Sequence, residues 1–445
     1  MDDRRVVLRR GFASLLALVG AGEATCAQDL LEQTALEAFV ETVHEVREVR
    51  GIGPGKQLAF RLAKSRDLAP TLVGSWPRIE LDATSFAALG LLPAKLDAKR
   101  KFGQVQAQML SIGYDSKTAS VAIPEETKKL GRYVAKLLAA QAIGRAIDTE
   151  RYDIDARMER AKTFDERFVL AALRDGAALL TMSEWAVTKR DGWTMPERLG
   201  LQSWERARND ASTRAPRFFS TMLASGLLGR NFYAQSKNGA SSLLPTISSG
   251  TSKRIESVFR DLPASSEQIL HPDKYWSSDR DEPVTLKGED ALLHALSALA
   301  QSELTDVNTL GEFGCGIAAT PLLQRAIAKV LDKRIGTSVY WSPRASDGWA
   351  GDRLYVFGQG ENASVAWVTM WDAEADASEF SGVFGSGNAK RAKLETYAEG
   401  RIAIFASGKL ATRARDIHRA VIEHGKPCRG DRSFDVFDRA AAPQK

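Results

Sequence analysis

Apolar residues return every three or four positions along two long stretches in the first third of the chain. The stretches cover 29–49 and 125–147. This spacing puts the apolar side chains on one face of a helix, which can then pack against the rest of the protein. The pattern predicts a helix in each stretch. Between 198 and 261 it predicts further helical segments with polar linkers, including a loop at 236–251 rich in Ser, Gly and Asn.

A run of short-period alternation interrupts these helical patterns. Residues 107–123 predict a β-hairpin, with its turn at 114–118 and its second strand at 119–123. The hairpin comes just before the second long helix, so the two elements are expected to be neighbours.

The C-terminal part has a different pattern, in which apolar runs alternate with glycine-rich turns. Strands are predicted at 353–357, 363–371 and 401–405, with a turn at 358–362. Helices are predicted at 290–299, 322–331 and 409–423. The fold class is therefore α+β, with a mainly helical first part. A small antiparallel sheet with helices on one face follows it.

Length and composition narrow the class of protein. The chain has 445 residues, and roughly 150 residues per domain suggests two or three domains. A net charge of +5 on 61 basic and 56 acidic residues, without a basic-aromatic pattern, argues against nucleic-acid binding. After the N-terminal segment, no stretch reaches the ~20 apolar residues of a membrane span.

The first residues resemble an export signal. An apolar run at 13–22 and the small-residue site Thr25-Cys26-Ala27 follow a positive segment with Arg4, Arg5, Arg9 and Arg10. Arg9-Arg10 resembles a twin-arginine signal, although the general export route and an ordinary amphipathic helix stay open. Residues 1–27 are thus predicted to direct the protein to the periplasm or to secretion. Cys315 and Cys428 then remain, either paired or as two free buried thiols.

The stretch 136–155, which begins inside the second long helix, carries the main candidate chemistry. Gly144 lies within its apolar face, where glycine costs roughly 1 kcal/mol relative to alanine, so close packing against a neighbour is expected. Several further motifs stand apart from simple patterning: Tyr114-Asp115, Tyr152-Asp153, Ser265-Ser266-Glu267-Gln268-Ile269-Leu270-His271-Pro272, Gly311-Glu312-Phe313-Gly314 and Trp349-Ala350-Gly351-Asp352-Arg353.

Together these motifs resemble a family of exported bacterial zinc metallopeptidase-like proteins of the gluzincin type, from about Val46 to the last strand. The resemblance implies a zincin-like domain at 28–285, whose hairpin flanks a cleft, and a C-terminal α+β domain at 286–445. The family carries His-Glu-x-x-His on the helix, and this chain has Gln141, Ala142 and Arg145 at the first His, the Glu and the second His.

Zinc hydrolysis needs two imidazoles and a carboxylate at those positions. Gln141 is a poor ligand, Ala142 cannot move a proton, and Arg145 places a positive charge where the cation would lie. The family's third ligand, a Glu, corresponds to Asp175, which is otherwise a helix-surface or capping carboxylate. The resemblance therefore implies no catalytic residue, no metal and no cofactor. It leads to the hypothesis that Arg145 and Asp175 pair where the metal was.

Three residues are candidates for binding. Tyr114 and Asp115 lie in the hairpin that flanks the cleft, and zincin-like folds use such a strand to pair with substrate backbone. His271 is either a ligand or a hydrogen-bonded structural histidine. The other histidines, His44, His294, His418 and His424, show no metal-ligand spacing with one another.

The sequence thus favours a non-catalytic metallopeptidase homologue that binds a peptide or a partner protein. Two alternatives remain: a divergent zinc peptidase with unusual ligands, and a structural or interaction protein that acts through its C-terminal domain. Loss of binding after a mutation at Tyr114 would favour the cleft over the C-terminal domain.

Overall fold

Most of the predicted elements lie within the part of the chain that the structure describes. This computed structural model describes residues 23–189, 225–234, 251–319 and 344–433, except 54, 109–111, 131, 359–362, 391 and 431, and also residues 222 and 436. Outside it lie most of the export signal at 1–27, nearly all of the loop at 236–251, the helix at 322–331 and most of the turn at 358–362.

Helices make up most of the region before residue 280. The longest predicted helices are confirmed, although a 3₁₀ turn at Glu125–Leu130 precedes the second one, which runs on to Tyr152. The helices are α1 (Glu23–Val49), α2 (Ala69–Gly74), α3 (Ile79–Ala88), α4 (Ala98–Gln108), α5 (Arg132–Tyr152), α6 (Ile154–Arg160), α7 (Phe164–Thr188), α8 (Ser225–Ala234), α9 (Thr251–Arg260), α10 (Ser266–Leu270) and α11 (Pro272–Trp276).

A small sheet holds the predicted hairpin. The strands β2 (Gly113–Asp115) and β3 (Ser120–Pro124) pair antiparallel, which confirms the hairpin. A strand that was not predicted, β1 (Ala59–Ala63), pairs parallel with β3. Its five residues include Arg61 and carry no clear alternation, so only the partner strand reveals it. The order is β1-β3-β2, so β1 and β2 are both outer strands among the described residues.

The C-terminal region is built on a five-stranded antiparallel sheet in the order β5-β6-β7-β9-β8. Its strands are β5 (Leu304–Asn308), β6 (Trp349–Phe357), β7 (Ser364–Trp371), β8 (Glu395–Glu399) and β9 (Ile402–Ser407). The helices around it are α12 (Glu289–Ala300), α13 (Gly311–Ala319), α14 (Glu374–Phe384) and α15 (Ala414–Ala420). The short strands β4 (Val284–Leu286), β10 (Pro427–Arg429) and β11 (Arg432–Ser433) form a separate sheet.

Helices cover both faces of the five-stranded sheet, so the prediction of helices on one face is wrong. Trp367 packs edge-on against Phe380 and Phe384 of α14. Its neighbour Val368 belongs to the opposite face, in a core with residues of α12 and α15. Every residue of β7 is buried. A strand buried on both sides is a continuous apolar run, and such a run does not reveal how many layers cover it.

One hydrophobic core joins the two regions of the chain. It includes Phe164 and Phe168 of α7 together with Phe313 of α13 and Trp367 of β7. The rings of Phe168 and Phe313 stack with centroids 3.7 Å apart. The apolar packing therefore runs across the domain boundary predicted at residue 285, and that boundary stays a prediction.

Two further expectations concern the surroundings of the protein. Among the described helices, none combines the length and the apolar character that crossing a membrane requires. Cys315 and Cys428 are buried free thiols. Of the two states that the sequence left open, the structure therefore shows the unpaired one.

Candidate functional site

The close approach of α5 and α7 positions the candidate site. Gly144 of α5 faces Thr181 of α7, and a Cβ atom at residue 144 would lie 2.8 Å from the Thr181 Cβ. The close packing predicted for Gly144 is confirmed. Any larger side chain at residue 144 would push α5 and α7 apart. Arg145, the next residue of α5, would then move away from Asp175 of α7.

Arg145 and Asp175 meet across this interface. Arg145 Nη1 lies 3.5 Å from Asp175 Oδ1, so the predicted ion pair is present. Arg174, the neighbour of Asp175 in α7, was not predicted to take part. Its Nε donates to Asp175 Oδ1 at 2.8 Å and its Nη2 donates to Oδ2 at 3.1 Å. We refer to Arg145, Arg174 and Asp175 as the arginine cluster.

The charges of the arginine cluster follow from burial and proximity. Burial raises the pKa of Asp175, but Arg174 and Arg145 lower it more, and the pKa ends below its ordinary value. Burial and repulsion from Arg174 lower the pKa of Arg145 to about 10, despite the opposing effect of Asp175 and Asp155. At neutral pH the cluster therefore holds two cations and one anion.

Gln141 and Ala142, the other two positions that the resemblance singled out, do not join this cluster. Ala142 is completely buried in the core that α5 forms with α1 and the hairpin. Gln141 is half-buried, about one helical turn before Arg145. Of the four positions, the structure thus brings Arg145 and Asp175 together and places Ala142 in the apolar packing.

The hairpin is tied to the C-terminal end of α5 and to the start of α6. The Tyr114 hydroxyl donates to Glu150 Oε1 at 2.5 Å, and the Ser116 hydroxyl donates to Asp155 Oδ2 at 2.5 Å. Asp115 shapes the turn instead, because its Oδ1 accepts the backbone N–H of Lys117 at 3.0 Å. Tyr114 is therefore a link between hairpin and helix, and Asp115 a turn residue.

His271 lies at the seam between the helical region and the sheet. Its Nε2 lies 2.9 Å from Oε1 of the buried Glu312, in the Gly311–Gly314 motif. Burial lowers the pKa of His271, but the hydrogen bond to Glu312 and the negative charges of Glu312 and Glu267 together raise the pKa above its ordinary value. Of the two roles that the sequence left open for His271, the structure shows the hydrogen-bonded one.

Several of the resembling motifs meet at this seam. Asp352 Oδ1 accepts the Gly311 backbone N–H at 2.8 Å, and Oδ2 accepts the Leu310 N–H at 3.0 Å. The indole N–H groups of Trp349 and Trp367 donate to the same carboxylate at 3.2 and 2.9 Å. Asp352 therefore fastens α13 to the sheet.

A second carboxylate completes the seam from the helical side. Asp165 Oδ1 accepts the Ser266 backbone N–H at 3.0 Å. Gly311 has φ +69°, and a Cβ there would lie 1.7 Å from Asp165 Oδ1. We call this arrangement the polar junction; it consists of Asp165, Ser266, His271, Gly311, Glu312 and Asp352. Sequence reasoning did not single out Asp165.

Two groups of side chains in the described residues could hold a cation. In the first, ligand atoms of His271, Glu312 and Asp347 all lie within 4.8 Å of one another. The second contains Glu267, Asp281 and Asp372, but the Lys274 ammonium already pairs with all three. Neither group includes Asp175, so the described residues offer no ligand set at the arginine cluster.

The comparison with protein families gives a match in the C-terminal region. A family described as "Domain of unknown function (DUF8575)" matches residues 301–421, a range that covers the five strands of the larger sheet. No curated protein and no solved structure matches the chain.

Proposed function

We propose that this chain is an exported, non-catalytic metallopeptidase homologue that binds a peptide or a partner protein in the cleft beside the hairpin. The arginine cluster is the observation that carries the proposal. Arg145 and Asp175 stand where the resemblance puts two of three zinc ligands, and Asp175 is already engaged by Arg174. Export rests on the pattern of residues 1–27, and the periplasm or the exterior is the proposed location.

Electrostatics argues against a metal at this position. Two unit charges about 4 Å apart repel by about 4 kcal/mol at an effective dielectric constant of about 20. A zinc ion beside Arg145 carries two charges and would meet a second guanidinium on Arg174. A carboxylate shared by two guanidinium groups cannot offset this repulsion and also ligate the ion.

The peptide-binding part of the proposal is supported by the hairpin. β2 is one of the two outer strands of the small sheet within the described residues, and its Tyr114 is hydrogen-bonded to Glu150 of α5. An extended peptide can add to such a strand through main-chain hydrogen bonds, with its side chains alternating between sheet and cleft. The strand is therefore already held at the position where a peptide would pair.

The first test is the metal content of the purified mature protein, measured by mass spectrometry after zinc addition and again after chelation. We expect no zinc at the cluster and an unchanged melting temperature after chelation. One zinc per chain that disappears in Asp175→Ala would overturn the proposal. The His271→Ala variant serves as the control, since zinc lost only in that variant would lie at the polar junction.

A second candidate function is supported by the family match. The match is confined to 301–421, so this region is a recurring unit and could act as an interaction domain. The Tyr114→Ala variant separates the two functions through capture of a partner. Lost binding places the partner in the cleft, whereas unchanged binding places it on the C-terminal region. The melting temperature of the variant verifies that the protein is folded.

A further inference from the structure

Arg145 is an incompletely paired cation. Both oxygens of Asp175 accept hydrogen bonds from Arg174, whose third nitrogen, Nη1, donates to the Ser75 carbonyl at 2.9 Å. Arg145 only approaches Asp175 at 3.5 Å, beyond the usual 2.7–3.2 Å of an N–H···O bond. It makes no hydrogen bond to any residue that the structure describes. Its donors are therefore available.

Burial makes this arrangement unusual. The side chain of Arg145 is 13% exposed. A charge removed from water is unfavourable unless hydrogen-bonded partners replace the water. The lowered pKa of Arg145, about 10, agrees with weak pairing, and the group still carries its charge at neutral pH. Asp155, the other acid that acts on it, is bonded to Ser116.

Two other buried arginines show how the same protein pairs a guanidinium fully. Arg50 donates to both oxygens of Asp148, at 2.8 and 3.2 Å, and to the Thr181 hydroxyl at 2.7 Å. Arg167 donates to both oxygens of Asp82 and to the Ala161 carbonyl. Arg145 lacks such a carboxylate of its own.

We propose that Arg145 binds a carboxylate brought by the ligand, so that the cleft selects acidic peptides; this inference rests on the proposed peptide-binding function. A guanidinium presents parallel N–H groups that match the two oxygens of a carboxylate. A carboxylate from the ligand would supply the negative charge that the two-arginine, one-aspartate cluster lacks. It could come from an Asp or Glu side chain or from the peptide's C-terminus.

The test uses two sets of probes at constant ionic strength. The first is sodium propionate with propionamide as its neutral counterpart, followed by NMR titration. The second is a set of alanine-based hexapeptides with one central Glu or Gln, each with a free or an amidated C-terminus. Propionate should bind about tenfold more tightly than propionamide. The peptide whose carboxylate reaches Arg145 should likewise bind about tenfold more tightly than its amide counterpart. The two C-terminal forms identify the source of the carboxylate.

The variants assign the preference to Arg145. Arg145→Gln should remove the preference for carboxylates, and Arg145→Lys should keep part of it. Arg419→Gln, at an exposed side chain of α15, is the control for the loss of one positive charge. Since Arg145 is weakly paired, the melting temperature of Arg145→Gln should be no lower than that of the wild type. A loss of carboxylate binding in this variant can then be separated from a loss of folding.

The outcomes separate this inference from the proposed function. Peptides that bind equally with Glu and Gln, and also equally with a free and an amidated C-terminus, would overturn the inference and leave peptide binding intact. Propionate binding that depends on Arg145, without any peptide binding, would support the carboxylate site and contradict the peptide-binding function. A carboxylate preference that persists in Arg145→Gln, or no binding of either probe, would overturn the inference.

Discussion

The arginine cluster and the polar junction both bury charged groups, but they satisfy them by different means. In the polar junction, Asp352 receives two backbone and two indole N–H groups, which the fold itself places around the carboxylate. In the arginine cluster, two side chains compete for Asp175, and one of them stays at 3.5 Å. The Asp352 carboxylate of the polar junction is fully hydrogen-bonded by the fold, whereas the arginine cluster has hydrogen-bond donors to spare.

This difference distinguishes the structural role of the polar junction from the binding role proposed for Arg145. A buried polar group that is fully hydrogen-bonded holds elements in one arrangement and gives a ligand nothing to bind. A buried charge with few partners favours a molecule that brings the missing ones. Loss of a junction residue should therefore reduce stability, and loss of Arg145 should change binding more than stability. The following predictions test this contrast.

The largest effect is expected at the polar junction, in Gly311→Ala. A methyl group there would meet the Asp165 carboxylate, and the positive φ adds backbone strain. The free energy of unfolding should fall by about 3–5 kcal/mol, measured by urea denaturation. Gly51→Ala is the control, because its φ is +59° but no atom lies within 4 Å of the added Cβ. Similar losses in both variants would mean that the contact with Asp165 is unimportant.

The next largest effect is expected for Asp175→Ala in the arginine cluster. It leaves Arg174 buried without its carboxylate and should reduce stability by about 3 kcal/mol. Arg145→Ala alone should cost about 1 kcal/mol or less. In the double variant, removal of Arg145 also removes repulsion between Arg145 and Arg174, so the two losses should not add. Additive losses in this double-mutant cycle would show that Arg145 and Asp175 are not coupled.

The pH dependence of stability should distinguish the two regions. Burial raises the pKa of Asp165 to about 7, more than the hydrogen bonds from Ser266 lower it. The folded state then holds a proton that the unfolded chain releases near pH 4. The contribution of Asp165 is therefore complete in acid and is lost as the pH rises to about 7.

Urea denaturation between about pH 5 and pH 8 measures this contribution. Asp165→Asn, which keeps an acceptor for Ser266, should reduce the fall in stability across that range. The contribution of Asp175 to stability has the opposite pH dependence. Because the pKa of Asp175 lies below its ordinary value of 3.8, the ion pairs of the arginine cluster weaken only as the pH falls through that lowered pKa. An unchanged pH profile in Asp165→Asn would exclude this carboxyl as the source.

The smallest effect is expected for Tyr114→Phe. The variant removes the hydrogen bond from the hairpin to Glu150 but keeps the aromatic ring, so the loss should be about 1 kcal/mol. Hydrogen exchange of the hairpin amides should speed up, because the strand is held less firmly. Exchange that increases equally in the five-stranded sheet would indicate general destabilisation.

Local patterns were enough for several elements. The helical spacing in α5, the hairpin and the apolar strands β6 and β7 were all predicted, because each depends on residues close together in the chain. Gly144 was also recognised, since a glycine within an apolar helix face indicates close packing. β1 was missed because its pairing with β3, about 60 residues later in the chain, is what makes it a strand.

By itself, the sequence determined that His-Glu-x-x-His is absent and that the chain combines helices with an antiparallel sheet. It also placed an arginine and an aspartate on separate helices. Only the tertiary structure decided that Arg174 takes both oxygens of Asp175, leaving Arg145 underpaired. It also decided that Asp165 and Asp352 meet around Gly311. The approach of Arg145 to Asp175 and the meeting around Gly311 depend on distances between residues that are far apart in the chain. Helix packing and sheet formation set such distances, and composition and periodicity do not encode them.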